Sequence, residues 1–278
     1  MSNITYKFRL KPTSHQETTM KKTLELCRWV YNETLAYRKN QWEQHQKSVS
    51  KFDTNLLLPK WKKYKPGLKE VYSQVYCNTQ ERVDLALRAF FQRVKRGDKP
   101  GYPRFKGVGQ YNSWTYTQPN NGSVSIKNNK IDFSKIGKVE VVFHRQLPEN
   151  VKIKRTTIKR EADGWFVLFS CEVQNIKQTH NSNHTVGIDL GCKSFITLSD
   201  GTQIENPKFL NKSMKRVKKA SKKLHGKVKK SPEWKRSVKV LQKVYQKVER
   251  QRTDFLHKTS RSLVNKYGVL IFEDLDID

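Results

Sequence analysis

Residues 184–200 read His184-Thr185-Val186-Gly187-Ile188-Asp189-Leu190-Gly191-Cys192-Lys193-Ser194-Phe195-Ile196-Thr197-Leu198-Ser199-Asp200. Val186 and Ile188 alternate with Gly187 and Asp189, the period of a strand with one face toward a core. Gly191 permits a close backbone turn, and Phe195 to Leu198 starts a second β-rich run. Asp200-Gly201 is a hairpin dipeptide, so residues 202–205 are expected to pair back as a third strand. The stretch therefore predicts a β-meander that presents one carboxylate, Asp189, at the end of its first strand. A lone carboxylate is costly to bury and useful when it holds a cation.

Its expected partner is distant in sequence. Residues 267–275, Tyr-Gly-Val-Leu-Ile-Phe-Glu-Asp-Leu, form a short apolar run that ends in acid. Such runs read as strands buried on both faces, as in parallel sheets. The long helix-forming stretch between the two strands is what a parallel crossover needs. Parallel neighbours would set Asp189 beside Glu273 at their carboxyl ends. Two carboxylates that close repel one another unless a divalent cation neutralises them. This is the nucleus of a metal-ion nuclease site, where carboxylates hold Mg²⁺ ions astride a phosphate. Asp274 is expected to face the other side of the strand, and Asp200 is read as a turn residue.

The 278 residues suffice for about two domains. They carry 56 Lys+Arg against 25 Asp+Glu, a formal net charge of +31. A protein that repels itself so strongly normally has a polyanion as partner. No apolar run approaches the ~20 residues of a membrane helix, which argues against a membrane partner. The first residues lack a signal-peptide core, which implies a cytoplasmic, nucleoid-associated protein. Cys27, Cys77, Cys171 and Cys192 form no C-x-x-C pair, so neither a disulfide framework nor a zinc site is read from them, and all four are expected to be buried.

Along the chain, Thr5 to Leu10 alternates as a strand and ends at Pro12. Thr13 or Ser14 then caps a helix through Ala36, with Glu17 at capping-box distance from Ser14. Residues 42–64 mix Trp, Tyr and Lys without a period and read as helix and loop. Gln74 to Val94 is helical by spacing and is ended by residues 95–103, Lys-Arg-Gly-Asp-Lys-Pro-Gly-Tyr-Pro. From Trp114 the period becomes two. Strands are expected at 114–118, 123–126, 130–133, 139–143, 151–158 and 165–173, forming a small β-barrel closed by Tyr6 to Leu10. Residues 175–183 read as a polar linker. Residues 208–261 contain 20 Lys/Arg and three acids, Glu233, Glu249 and Asp254. Gly226 and Ser231-Pro232 divide them into two helices. A one-signed excess this large exceeds what i,i+4 pairing neutralises, and contact with nucleic acid is the better account. Trp234, Val238, Leu241, Tyr245, Val248, Phe255 and Val264 give the second helix a buried stripe.

Taken in order, Val186 to Gly191, the basic hairpin, residues 251–258 and Phe272-Glu273-Asp274-Leu275 resemble the RuvC portion of the TnpB (OrfB) proteins of insertion sequences, relatives of type V CRISPR effectors. Residues 6–12, Cys27-Arg28-Trp29-Val30-Tyr31-Asn32 and Gly101 to Lys106 also resemble segments of that family. The resemblance implies an α+β and α/β multidomain chain. It comprises a β-barrel wedge domain (1–12 plus 107–178), an inserted helical recognition domain (13–106) and a ribonuclease-H-like RuvC domain (184–278) with a basic helical hairpin. It implies a transposon-encoded RNA-guided DNA endonuclease whose partners are a guide RNA from the transposon end and target DNA. Asp189 and Glu273 become its catalytic and metal (Mg²⁺ or Mn²⁺) residues. Family members continue into a four-cysteine Zn²⁺ ribbon and a third catalytic aspartate. The chain ends at Asp278, so the resemblance implies an incomplete RuvC domain with no zinc site.

Nucleic-acid contacts are expected from Arg28, Arg104, Lys106, Lys215, Lys219, Lys222, Lys229, Lys243 and Arg252. Trp29, Tyr37, Trp42, Trp61, Tyr64 and Tyr245 are expected to stack on unpaired bases. Gln74 and Gln80 are expected to reach base edges of a short DNA motif. Two alternatives stand beside this reading. A non-catalytic RNA/DNA-binding protein would use the basic faces alone. A sugar-kinase or Hsp70-like ATPase shares the Gly-Ile-Asp-Leu-Gly opening but needs a second phosphate loop, which the remaining residues do not supply.

Overall fold

The computed structural model describes residues 2–148, 151–173 and 184–274. The chain forms two compact units, residues 1–175 and 176–278. The expected linker at 175–183 lies outside the described residues.

In the first unit, β1 (Ser2–Lys11) enters α1 (Ser14–His45). Phe8 and Leu10 point to the core, while Lys7 and Arg9, on the opposite face, pair with Glu161 and Asp163. The N-cap of α1 is Thr13 in a reciprocal box with Gln16, not the Ser14–Glu17 pair expected from spacing. Then follow α2 (Lys51–Asn55), α3 (Leu58–Tyr64) and α4 (Ser73–Arg96), which ends at Gly97 in the left-handed conformation a Cβ would disfavour. Arg38 and Asp84, both nearly buried, join α1 to α4 at 2.8 Å.

Six further strands are β2 (Ser113–Tyr116), β3 (Val124–Lys127), β4 (Lys130–Phe133), β5 (Gly137–Val142), β6 (Lys152–Glu161) and β7 (Gly164–Val173). Their order is β2-β6-β7-β1-β5-β4-β3. The strand positions match expectation, but β1 does not close the sheet. It lies in the middle, antiparallel to both β7 and β5. Curling brings the two ends of the sheet together: the Tyr116 hydroxyl donates to the Ser134 carbonyl at 3.1 Å, and its ring stacks on Phe133 at 6.0 Å. One continuous core fills the curl and runs under α1 and α4.

In the second unit, β8 (Thr185–Leu190), β9 (Ser194–Leu198) and β10 (Gln203–Glu205) form the expected meander. Helices α5 (Phe209–His225) and α6 (Pro232–Lys266) then lead to β11 (Val269–Phe272). The sheet order is β10-β9-β8-β11, with β11 parallel to β8. The expectation that β11 is buried on both faces fails. Val269, Ile271 and Phe272 are each more than half exposed. The cause is position: among the described residues β11 is an edge strand, and only Leu270 joins the small cluster of Val186, Ile188, Ile196, Leu198, Leu263 and Tyr267. The expected stripe on α6 is likewise only partly covered. Val248 is buried, Phe255 packs on Phe195 and Phe209, and Tyr245 is exposed. No helix among the described residues is long and apolar enough to cross a membrane.

Candidate active site and nucleic-acid interface

Two turns set the end of β8. Gly191 is required there, since an added Cβ would meet the Ser194 carbonyl oxygen at 3.0 Å. At the other end of β9, Gly201 adopts φ +83, Thr202 N–H donates to Asp200 Oδ1 at 2.9 Å, and the chain returns as β10.

The parallel register pairs Leu270 with Val186 and Phe272 with Ile188. Continued by one residue, it puts Glu273 beside Asp189. Residues in register on parallel strands project to the same face; the parallel neighbours expected from the sequence are found. Both residues are exposed, as a hydrated cation and a phosphate would require. Asp274 is also exposed and follows the strand. Among the described residues no group of three or more His, Cys, Asp or Glu is arranged to hold a metal.

Sequence reasoning passed over Asp200, which the structure makes a junction. The Tyr267 hydroxyl donates to its Oδ2 at 2.5 Å, and Lys266 Nζ lies at 3.3 Å from the same oxygen. The Tyr267 and Thr202 hydrogen bonds hold the Asp200 carboxyl well below the usual carboxylate range, and contacts with Tyr267 and Asp200 raise Lys266. The turn after β9 is thereby tied to the residue that leads into β11. Asp254, by contrast, pairs with Lys258 at 2.8 Å on the surface of α6.

The basic residues sort by environment. Lys215, Lys219, Lys222, Lys229, Lys243 and Arg252 are exposed along α5, α6 and their connection. A cleft of about 230 Å³ between these helices is lined by Ser213, Arg216, Val240, Lys243, Val244 and Lys247. Arg104 is exposed, while Lys106 lies with its Nζ 5.5 Å from the centre of the Tyr31 ring. Arg28 is committed inside the fold: Nε donates to Glu25 at 2.8 Å and Nη1 to the Lys106 carbonyl at 3.2 Å. The stacking candidates divide too. Trp29 and Trp61 pack edge to face at 5.8 Å, whereas Trp42, Tyr64 and Tyr245 are open to solvent.

Of the two glutamines, Gln74 donates to Gln118 Oε1 at 2.7 Å, and that oxygen also accepts from Asn121 at 2.9 Å. This makes a connected amide cluster at the start of α4. Gln80 is fully buried and donates to the Thr54 carbonyl at 2.7 Å, so it cannot reach a base edge. Its helix position faces α2, which periodicity alone did not reveal. Cys27 and Cys171 are buried, Cys77 is half-buried and Cys192 is exposed, against the expectation of four buried cysteines. Burial pushes the Cys27 thiol up to about 12.

A family model described as "Probable transposase" (OrfB_IS605) matches residues 168–278, and its companion, described as "Helix-turn-helix domain" (HTH_OrfB_IS605), matches residues 1–47. The chain belongs to the OrfB (TnpB) family. Within the second match the OrfB chain forms one strand and one long helix, β1 and α1. A "Putative RNA-guided DNA endonuclease" of Streptomyces pristinaespiralis is 29% identical over 276 residues, covering 98% of the chain and 67% of the relative. The "Putative RNA-guided DNA endonuclease InsQ" of Escherichia coli (strain K12) is 27% identical over 274 residues, covering 98% and 66%. The chain thus spans about two thirds of the length of these relatives. Among solved structures, a CRISPR-Cas12f ternary complex aligns with TM-score 0.39 at 13% identity, covering 93% of the chain and 63% of its own. A Cas12f1–sgRNA–target DNA complex aligns with TM-score 0.37 at 13% identity, covering 99% and 74%.

Proposed function

We propose that this OrfB chain carries the guide-binding surfaces and the first two carboxylates of a transposon-encoded, RNA-guided, metal-dependent DNA endonuclease. The observation that supports the reading is the parallel pairing of β8 with β11, which, continued by one residue, would bring Glu273 beside Asp189. In this reading the first unit is the wedge domain with its helical insertion, and the second unit is a RuvC-like domain. The two relatives named as RNA-guided endonucleases support it, and so does the run of exposed cations on α5 and α6.

Asp189 and Glu273 would hold a Mg²⁺ or Mn²⁺ ion, which when bound lowers the pKa of water and neutralises phosphate charge. The chain's own residues would present two exposed carboxylates at one strand end, while the basic hairpin attracts the nucleic-acid backbone. Guide pairing would read sequence, so the protein should grip backbone and A-form shape. Gln74, with Gln118 and Asn121, is the polar group placed to read a short DNA motif.

The decisive experiment measures Mn²⁺ binding by electron paramagnetic resonance alongside RNA binding and guide-dependent DNA cleavage. The wild-type chain is expected to bind one ion, and Asp189→Ala or Glu273→Ala to lose it while RNA affinity is unchanged. Two-ion in-line hydrolysis needs more ligands than this pair, so the isolated 278-residue polypeptide is expected to bind RNA without detectable cleavage. Ion binding that survives both substitutions would remove the carboxylate pair from the mechanism. A flat dependence of RNA affinity on salt would remove the backbone-binding reading.

A further inference from the structure

The segment between α4 and β2 carries aromatic residues as well as cations. Its aromatic residues have a different character. Tyr102 and Phe105 are 43% and 54% exposed, on a stretch with no regular secondary structure. Exposed loop aromatics normally move. Here the backbone is held: Lys106 N–H donates to Asn32 Oδ1 at 2.8 Å, and the Lys106 carbonyl accepts from Asn32 Nδ2 at 3.0 Å. The Asn32 amide thus pairs with Lys106 on both sides, as a neighbouring strand would, and Arg28 adds a third bond to the same carbonyl. Upstream, Arg93 donates to the Gly101 carbonyl at 3.3 Å, and the Tyr102 ring lies edge-on to Phe90 at 5.3 Å. Phe90 in turn packs on Phe91, itself 58% exposed.

The surroundings choose the occupant. From Arg88 to Lys106 the chain carries seven Lys/Arg and one acid, Asp98. A protein partner would meet a one-signed surface, whereas a polyanion finds aromatic faces flanked by cations. Duplex bases are stacked inside the helix and offer no free face. An unpaired strand offers one π-face per nucleotide together with its phosphates.

We propose that Tyr102, Arg104 and Phe105 form a pre-organised platform for an unpaired stretch of nucleic acid, with a base stacked on Phe105 and the adjacent phosphate on Arg104. The platform rests on the nucleic-acid reading above and adds a site to it. Because Asn32 and Arg28 already hold the loop, little ordering entropy remains to be lost on binding.

The test is binding of the 278-residue chain to a short single strand containing 2-aminopurine, in RNA and DNA versions, and to a duplex of the same sequence, across a salt series. Phe105→Ala is expected to weaken single-strand binding about 5- to 100-fold at every salt concentration, leaving the salt slope and duplex affinity unchanged. Phe105→Trp should restore it. Arg104→Ala should lower the slope by about one. A larger loss on RNA assigns the platform to the guide, and a larger loss on DNA to a displaced strand. Wild-type affinity in Phe105→Ala, or an equal loss on duplex, overturns the platform while leaving the wider reading intact. Failure of the wild-type chain to bind any of the probes overturns both.

Discussion

The two sheets of this molecule solve the same problem to different degrees. In the seven-stranded sheet of the first unit, the strand that starts the chain is central, and Phe8 and Leu10 are sealed. Phe8 touches Phe143 and Phe169, and a continuous core continues beneath two helices. In the four-stranded sheet of the second unit, the wholly apolar β11 lies, among the described residues, at the edge with three of its four side chains more than half exposed. The first arrangement supplies stability and a rigid mount for loops. The second delivers carboxylates to an open strand end, where water, cation and phosphate have access. Apolar sequence alone does not tell which role a strand takes; the number of neighbours does.

The contrast is broken if truncations in the two sheets cost the same. Phe8→Ala should destabilise the first unit by about 3–5 kcal/mol, as for other large core aromatics. Denaturant unfolding followed by intrinsic fluorescence would measure it. Next in size is Gln80→Ala, which removes a buried hydrogen bond to the Thr54 carbonyl, an oxygen that keeps the Leu57 N–H, and should cost about 0.5–1.5 kcal/mol. Its DNA-motif preference should not change, whereas that of Gln74→Ala should, and a library-selection assay separates the two outcomes.

Acid should act on the second unit through Asp200. Its carboxyl pKa is lower in the folded chain than in the unfolded one. The tie to Tyr267 is therefore present above the ordinary carboxylate pKa and is lost as pH falls through the lowered folded value. Lys266 is raised, so its share is present below the ordinary lysine pKa and lost as pH rises through the raised one. Protection of β11 amides from exchange, corrected for the intrinsic pH dependence of amide exchange, should accordingly be greatest between those limits, and Asp200→Asn should flatten the acid limb. The smallest effect is expected at the edge: Ile271→Ala should change stability by no more than about 0.5 kcal/mol, the range of surface substitutions. A loss comparable to that of Phe8→Ala would show that β11 is covered in solution.

The strands of both sheets, the split of the basic hairpin at Ser231-Pro232 and the meander after Gly191 were legible because each rests on local chemistry: period-two alternation, a proline at a first turn, glycine where a Cβ would collide. The parallel pairing of β8 with β11 was legible because two recognisable strands are separated by a long helix-forming stretch. Gln80 was misjudged because a polar residue on a helix looks exposed until a second helix is packed on it. The hydrogen bond of Arg28 was not legible because its carbonyl partner lies 78 residues away in sequence. Asp200 looked like an ordinary turn residue because Tyr267 is 67 residues distant.

By itself, then, the sequence determined the elements, the excess of positive charge and the two acids that end strands, all properties of short windows or of simple sums. Only the tertiary structure decided that β1 is central and β11 an edge, that Asn32 holds the loop bearing Phe105, and which of the predicted contact residues face solvent. Those outcomes depend on contacts between residues far apart in the chain, where the cost of closing a long loop is met by burial and hydrogen bonds that no local pattern records.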